Sequence, residues 1–416
     1  MKLTVVGGGS TYTPELIDGI ARLRDRLPVS EVVLVDPDEA RLPLVGGVSA
    51  RIMAAHGHPG RVRWTTDLDD GLDGVSAVLL QLRVGGQAAR HRDETWPLEC
   101  GCVGQETTGA GGLAKALRTV PVVLDIAARA PADAWIVDFT NPVGIVTRAL
   151  LDAGHRAVGL CNVAIGFQRR FARMLGVEPE RVALDHVGLN HLTWERAVLV
   201  DGVDRLAELL AGHGEEVAKE IELPSSLVRR LGVVPSYYLR YYYSHDEVVE
   251  ELRGAQTRAQ AVAGIERQLL EMYADPELDH KPELLGQRGG AFYSEAAVNL
   301  LASLTDDTGD VQVVNVRNQG TLPFLPEDSV IEVPAVVGAS GAMPVPVAPV
   351  EPLFAGLIAH ASAYEELALR AAVRGGRERV FEALLAHPLV GQTAQAEWLT
   401  DRLLAENAAF LPWATT

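Results

Sequence analysis

The stretch VVGGGSTYTPE, residues 5–15, puts three glycines between a short apolar run and Pro14. An apolar run closed by glycines and followed by a helix start reads as strand, turn, helix. Proline suits the first turn of a helix, and Thr13 is a suitable N-cap. The free N–H groups and positive end of such a helix attract a pyrophosphate. The pattern begins as G-x-G, but Tyr12 stands where the dinucleotide fingerprint has its third glycine. The next apolar run, EVVLVD (31–36), ends in Asp36. A carboxylate there accepts the hydroxyls of an adenosine ribose and repels a 2′-phosphate, which favours NAD over NADP. The competing reading is a glycine-rich turn with Asp36 capping the following helix.

Working outward, LTVVG (3–7), EVVLVD, RVRWTT (61–66), AVLLQL (77–82), AWIVDF (134–139) and AVGLC (157–161) read as strands, most of them separated by stretches with helical spacing. Alternating strands and helices with continuous apolar strands predict a parallel sheet covered on both faces. Residues 1–168 are therefore expected to form an α/β, Rossmann-like NAD-binding domain of the lactate/malate dehydrogenase kind. Residues 83–110 read as a long connection, a place where function concentrates. Beyond it the pattern changes. RVALDHVGLNHLTWERAVLVDGVDRL predicts strands with a turn at Asp201-Gly202, and long helices follow near 205–222, 247–273, 352–374 and 377–410. A β-rich insert lies around VQVVNVRNQG and VIEVPAVV, and AMPVPVAPVEP (342–352) reads as a rigid link. Residues 169–416 are expected to form a mixed α+β domain for substrate, metal and oligomer contacts.

Composition narrows the class. A net charge of −18 argues against a nucleic-acid surface, and no run approaches a membrane span. The N-terminal apolar run is too short for a signal peptide, and an odd count of three cysteines suits a reducing cytoplasm.

Polar clusters stand at the expected strand ends. DFTNP (138–142) closes the fifth strand and LCNV (160–163) the sixth, so Asn141, Cys161 and Asn162 are expected near the ligand crevice. GLNH (188–191) supplies His191. A thiolate and an imidazole suit a borderline divalent cation, and two protein ligands leave positions open for substrate oxygens. SYYLRYYY (236–243) reads as a core-facing aromatic row, although a tyrosine beside a cation can serve as a base.

These clusters in this order resemble glycoside hydrolase family 4, and within it the 6-phospho-β-glucosidases. GGGSTYTPE, QETTGAGG, DFTNP, LCNV, GLNHL, YYLRYY, RGG (288–290) with a nearby Tyr-Ser (293–294), and NVRNQG carry the resemblance. It implies cleavage by a redox route: oxidation of sugar C3 by NAD, deprotonation of C2, β-elimination of the aglycone, water addition and re-reduction. It also implies site roles. Gly7, Gly9, Ser10, Thr11, Asp36 and Asn141 are expected to bind NAD, and Cys161 and His191 to hold the cation, expected to be Mn²⁺. Tyr238 is expected to be the C2 base. Arg90 and Arg258 would contact the substrate phosphate, with Asn141, Asn162 and Glu106 also lining the substrate site. The expected substrate is a phosphorylated disaccharide or aryl 6-phospho-β-glucoside, and the expected assembly a cytoplasmic homodimer or homotetramer. Ala164 departs from the proline that commonly follows CNV. Cys100 and Cys102 match nothing functional. An NAD-dependent 2-hydroxyacid dehydrogenase, with His191 as proton acceptor, is the alternative, and a non-catalytic NAD sensor is a third reading.

Overall fold

Six short segments form parallel strands: β1 (Lys2–Val6), β2 (Glu31–Val35), β3 (Arg61–Thr65), β4 (Ala77–Leu80), β5 (Trp135–Asp138) and β6 (Ala157–Gly159). Their spatial order is β3-β2-β1-β4-β5-β6 in a computed structural model that describes residues 1–290 and 292–414. β1, β2, β4, β5 and β6 are mostly apolar because both faces are covered, whereas the edge strand β3, RVRWT, has no buried residue. Val5 and Leu79 face one core with Leu16, Ile20 and Val48 of helices Thr13–Arg22 and Arg41–Ala55. Val6, Val78 and Leu80 face the other, with Leu113 and Leu117 of helix Gly109–Arg129 and Ala368 of helix Pro352–Arg374. The α/β Rossmann-like arrangement is thus present as expected.

The second half adds β7 (Val182–Leu189), β8 (Leu192–Val200), β9 (Val203–Asp204), β10 (Val234–Pro235), β11 (Asp310–Arg317), β12 (Val330–Gly338) and β13 (Gly341–Pro344). Strands on both sides of residue 168 share one sheet, because β11 pairs antiparallel with β6 through Asn315 and Gly159. A row of paired residues crosses that sheet: Val35, Val6, Leu80, Asp138, Gly159, Asn315, Glu332 and Gly188.

Local expectations change. The helices read near 247–273 and 377–410 are each two: His245–Gly254 with Arg258–Tyr273, and Arg377–Leu385 with Thr393–Asn407. Residues 83–110 are not one open connection, since they contain helix Gly86–Thr95 and a 3₁₀ turn, Trp96–Cys100. Helix Gly86–Thr95 buries Ala89, Asp93 and Glu94. A polar inward face leaves no hydrophobic period to read. The Pro-rich link begins with a strand, because Ala342, Met343 and Pro344 pair with β12. Thr13 is the first helical residue rather than the cap, and its hydroxyl donates to the Gly8 carbonyl at 2.9 Å.

A buried ion pair anchors helix Gly86–Thr95 against the second core. Arg118 Nη2 donates to Asp93 Oδ2 at 2.5 Å, and Arg118 also bonds Asn407 of helix Thr393–Asn407. Both partners of the ion pair are almost fully buried. Removing the guanidinium would strand a carboxylate in the interior, which costs about 3–5 kcal/mol. Arg118→Ala is therefore expected to lower unfolding stability by about that amount in urea titrations. A loss below about 1 kcal/mol would show that the pair does not anchor the helix.

Candidate active site

The glycine turn is shaped by close approach. Gly7 and Gly8 N–H groups both donate to Val35 O at 2.9 Å, drawing the turn onto the end of β2. Gly9 N–H donates to Asp36 Oδ2 at 3.0 Å, and a Cβ at Gly9 would lie 2.8 Å from the Asp36 carboxyl carbon. Only glycine leaves that space open. Burial raises the Asp36 carboxyl above the usual range, despite the N–H groups of Asp38 and Gly9 that favour its charge. Tyr12 is held away from the turn's centre by donating from its hydroxyl to Gly290 O at 2.7 Å. Arg288 reaches back to donate to Thr11 Oγ1 at 2.7 Å and Ser10 Oγ at 3.2 Å.

This turn opens into a cleft of about 470 Å³. Gly7, Gly9, Ser10, Asp36, Arg90, Asn141 and Arg258 line it, as do Lys115, Tyr237, Arg288 and Tyr293. Asn141 Oδ1 is buried and accepts no hydrogen bond within the protein. An unsatisfied acceptor on a cleft-lining residue is the condition expected of a ligand contact. The open glycine cradle, Asp36 and this acceptor together fit a dinucleotide.

Glu106 is buried within a ring of cations. Lys115 Nζ lies 2.7 Å from Oε2, Arg90 Nε 3.1 Å from Oε1, and Arg83 also bonds Oε2. Burial alone would raise its carboxyl, but the charges of Arg83, Lys115 and Arg90 hold it well below the usual range. Burial also brings the Lys115 ammonium down to about 7, with Arg83 pushing in the same direction and Glu106 opposing. Helix Gly109–Arg129 carries Lys115, and Gly111 lets the QETTG loop fold against it: a Cβ there would meet Gln105 O at 2.2 Å.

The thiol, imidazole and phenol sit behind this cleft. His191 and Tyr238 stack with ring centroids 3.6 Å apart and planes at 12°. His191 Nδ1 is 3.1 Å from Thr107 Oγ1. Burial lowers the His191 imidazole to about 4, so it is neutral near pH 7 and able to ligate. Cys161 is buried, which pushes its thiol up, and the Glu332 charge adds to that, while the Asn190 side chain bonds it. Charge on Cys161 would be felt by Tyr237, Tyr238 and Tyr293. Cys161 borders a second cavity of about 600 Å³ with Gln168 and Glu295, and the glycine-turn cleft is lined instead by Tyr237 and Tyr293. Among the described residues no three His, Cys, Asp or Glu side chains form a metal-binding group. The donor set is the two-ligand kind, a thiol and a neutral imidazole, and it fits a borderline cation with open positions.

A buried charge chain supports this pair. His186 Nδ1 lies 2.6 Å from Glu195 Oε1 and its Nε2 3.0 Å from Glu332 Oε1. Glu332 Oε2 accepts from Asn190 and Asn315, each at 2.9 Å. Burial would lower the His186 imidazole, but the two carboxylates carry it up to about 10. One imidazolium between two carboxylates leaves excess negative charge, which favours a nearby cation.

Of the expected residues, Asn162 precedes helix Val163–Leu175, beside Cys161. Arg258 opens helix Arg258–Tyr273 and donates to the carbonyls of Gln287 and Arg288. The SYYLRYYY segment is not one helix. Tyr237–Leu239 is a 3₁₀ turn ahead of a short helix, Arg240–Tyr243. Sequence reading missed Arg83, Lys115, Tyr237, Arg288, the His186 chain and Tyr293 as a wall of the cleft. Lys115 had a signal: a lone lysine within the apolar run GLAKAL. Arg288 and Tyr293 stood in motifs that carry the resemblance, RGG and Tyr-Ser, but no role followed because the partners of Arg288 lie 277 and 278 residues away.

Comparison with known proteins shows the family. The model of family 4 glycosyl hydrolases matches residues 2–177, and that of the family 4 glycosyl hydrolase C-terminal domain matches residues 186–390. The chain is 39% identical to the probable 6-phospho-beta-glucosidase of Bacillus subtilis, covering 99% of this chain and 97% of that protein. It is 36% identical to the 6-phospho-beta-glucosidase of Escherichia coli, covering 99% and 96%. The structure of the 6-phospho-beta glucosidase from Thermotoga maritima with manganese, NAD+ and glucose-6-phosphate is similar at a TM-score of 0.90, 31% identity and 99% coverage of both chains. A malate dehydrogenase of Cryptosporidium parvum is similar at a TM-score of 0.55 and 16% identity, covering 89% of this chain and 98% of that one, a likeness of fold alone. The chain belongs to the family 4 glycosyl hydrolases.

Proposed function

We propose that this enzyme hydrolyses 6-phospho-β-glucosides by transient oxidation at sugar C3, with NAD and a divalent cation, manganese by preference. The observation that carries the reading is the grouping of a buried thiol, a neutral imidazole and a stacked phenol beside the glycine-turn cleft. The names of the full-length relatives support the substrate class. A hydroxyacid dehydrogenase has weaker support, since its likeness is confined to the fold.

Gly7, Gly9, Ser10, Thr11 and Asp36 would hold the dinucleotide, with Asn141 toward the nicotinamide, and Cys161 and His191 would hold the cation. When bound, NAD supplies reversible oxidation at C3, and the cation stabilises negative charge on the C2 and C3 oxygens. Tyr238 takes the proton from C2, and the electron pair left behind expels the aglycone oxygen from C1. Water then adds its hydroxyl at C1, its remaining proton neutralises the departed aglycone oxygen, and Tyr238 returns the abstracted proton to C2. Burial pushes the Tyr238 phenol well above its ordinary range, so its phenolate depends on nearby positive charge. Arg90 lies close enough to supply part of it. Arg90 and Arg258 grip the phosphate through guanidinium forks. Asn162 and Glu106 complete the substrate wall. The reading carries with it a cytoplasmic homodimer or homotetramer, in keeping with three unpaired thiols and the usual twofold pairing of such enzymes.

Hydrolysis of p-nitrophenyl 6-phospho-β-glucoside is expected to stop when NAD⁺ or Mn²⁺ is withheld, and to release no net NADH. Full turnover without either would overturn the reading. In Tyr238→Phe, exchange of the C2 hydrogen with solvent, followed by NMR in D₂O, is expected to vanish while NAD⁺ still binds; persistent exchange would remove Tyr238 as the base. Gly9→Ala is expected to displace Asp36 and weaken NAD⁺ about tenfold or more in a fluorescence titration. Unchanged affinity would place the dinucleotide elsewhere.

A further inference from the structure

Helix Gly86–Thr95, hidden from sequence reading by its polar inner face, bears on both phosphate arginines. Arg90 and Glu94 are one turn apart on it, and Glu94 is 7% exposed. Glu94 Oε1 accepts from Arg90 Nε at 2.7 Å. Its other oxygen, Oε2, accepts from the backbone N–H of Ala259 at 2.8 Å, in the first turn of helix Arg258–Tyr273. One carboxylate therefore touches the first arginine and the residue after the second.

We infer that Glu94 is a positioning residue that sets the spacing between Arg90 and Arg258 for the substrate phosphate. The inference rests on the phosphate role proposed for those arginines. Both side chains line the same cleft. Arg90 meets Glu94 at 2.7 Å and Glu106 at 3.1 Å through Nε. Arg258 is steadied at its head by the carbonyls of Gln287 and Arg288 and at its backbone by the Glu94 bond next door. A second contact makes the junction stiffer: His91 Nδ1 lies 2.9 Å from the hydroxyl of Thr257, whose side chain caps the same helix in a capping box with Gln260.

A carboxylate is required here by donor counting. Both neighbours donate, one as a guanidinium and one as an N–H at a helix N-terminus, and an ionised carboxylate has two acceptor oxygens. A glutamine has one acceptor oxygen and one amide nitrogen. Whichever way it turns, a donor faces a donor, and either Arg90 or helix Arg258–Tyr273 is released.

The test is steady-state kinetics of the full chain with NAD⁺ and Mn²⁺, using p-nitrophenyl 6-phospho-β-glucoside. Glu94→Gln is expected to raise KM about tenfold while kcat moves less than about threefold and NAD⁺ affinity is unchanged. Arg258→Ala is expected to raise KM less in the Glu94→Gln background than in the native one, the signature of coupled residues. Glu94→Asp keeps the charge but shortens the reach, and it is expected to raise KM as well; it takes over the test if the glutamine variant fails to fold. A KM within twofold of native in these variants, or fully additive effects, would overturn the inference, as would a parallel loss of kcat and NAD⁺ affinity. Arg90→Ala and Arg258→Ala that each leave KM unchanged would instead overturn the phosphate reading itself.

Discussion

One backbone pairing joins the two halves of this molecule: Asn315 of β11 against Gly159 of β6. The approach is so close that a Cβ on Gly159 would lie 2.2 Å from Thr147 Oγ1 and 2.8 Å from Asn315 Cβ. Through this seam the row begun at Val35 and Val6 in the parallel half continues to Glu332 and Gly188 in the antiparallel half. The candidate groups are counted off from that row. Asp36 follows Val35 directly, Gly9 follows Val6 by three, Asn141 follows Asp138 by three, Cys161 follows Gly159 by two and His191 follows Gly188 by three. Side chains from opposite halves of the chain can meet because the hydrogen-bond register brings their strand ends to one line.

Charge is then divided along the site. The protein carries −18 overall, yet Arg83, Arg90, Lys115, Arg258 and Arg288 converge near one cleft. Glu106 offsets part of that charge and draws Arg83, Arg90 and Lys115 together. Behind Cys161 and His191 the balance has the opposite sign, with Glu195 and Glu332 outnumbering His186. An anionic group and a cation would thus find separate, oppositely charged ends under the proposed reading. Strong like-charge neighbours would otherwise shift both ends toward neutrality.

Legibility in the sequence followed the local nature of each signal. Five of the six parallel strands could be read because coverage on both faces leaves apolar runs, the edge strand β3 by its alternation, and the glycine turn because its spacing lies within a few residues. Cys161 and His191 stood out as ligand types at strand ends. Helix Gly86–Thr95 did not stand out, because Asp93 and Glu94 are the residues it buries. The cation ring around Glu106 was also hidden, since Arg83 and Lys115 reach it from separate elements. The strand Gly341–Pro344 was masked by prolines that are tolerated at a sheet margin, where only β12 needs its hydrogen bonds.

The bonds around the glycine turn also bear on the order of assembly. Tyr273 donates to Thr11 O across 262 residues, Arg288 to Thr11 across 277, and Tyr12 to Gly290 across 278. Lys281 and Ser294 both bond Glu15 in the helix that follows. A ribosome delivers the N-terminal segment first, yet the partners that finish its opening loop emerge only after more than half the polypeptide has been translated. The first part made is therefore among the last to be completed, and a nascent chain holds an unfinished nucleotide cradle until its later portion folds back.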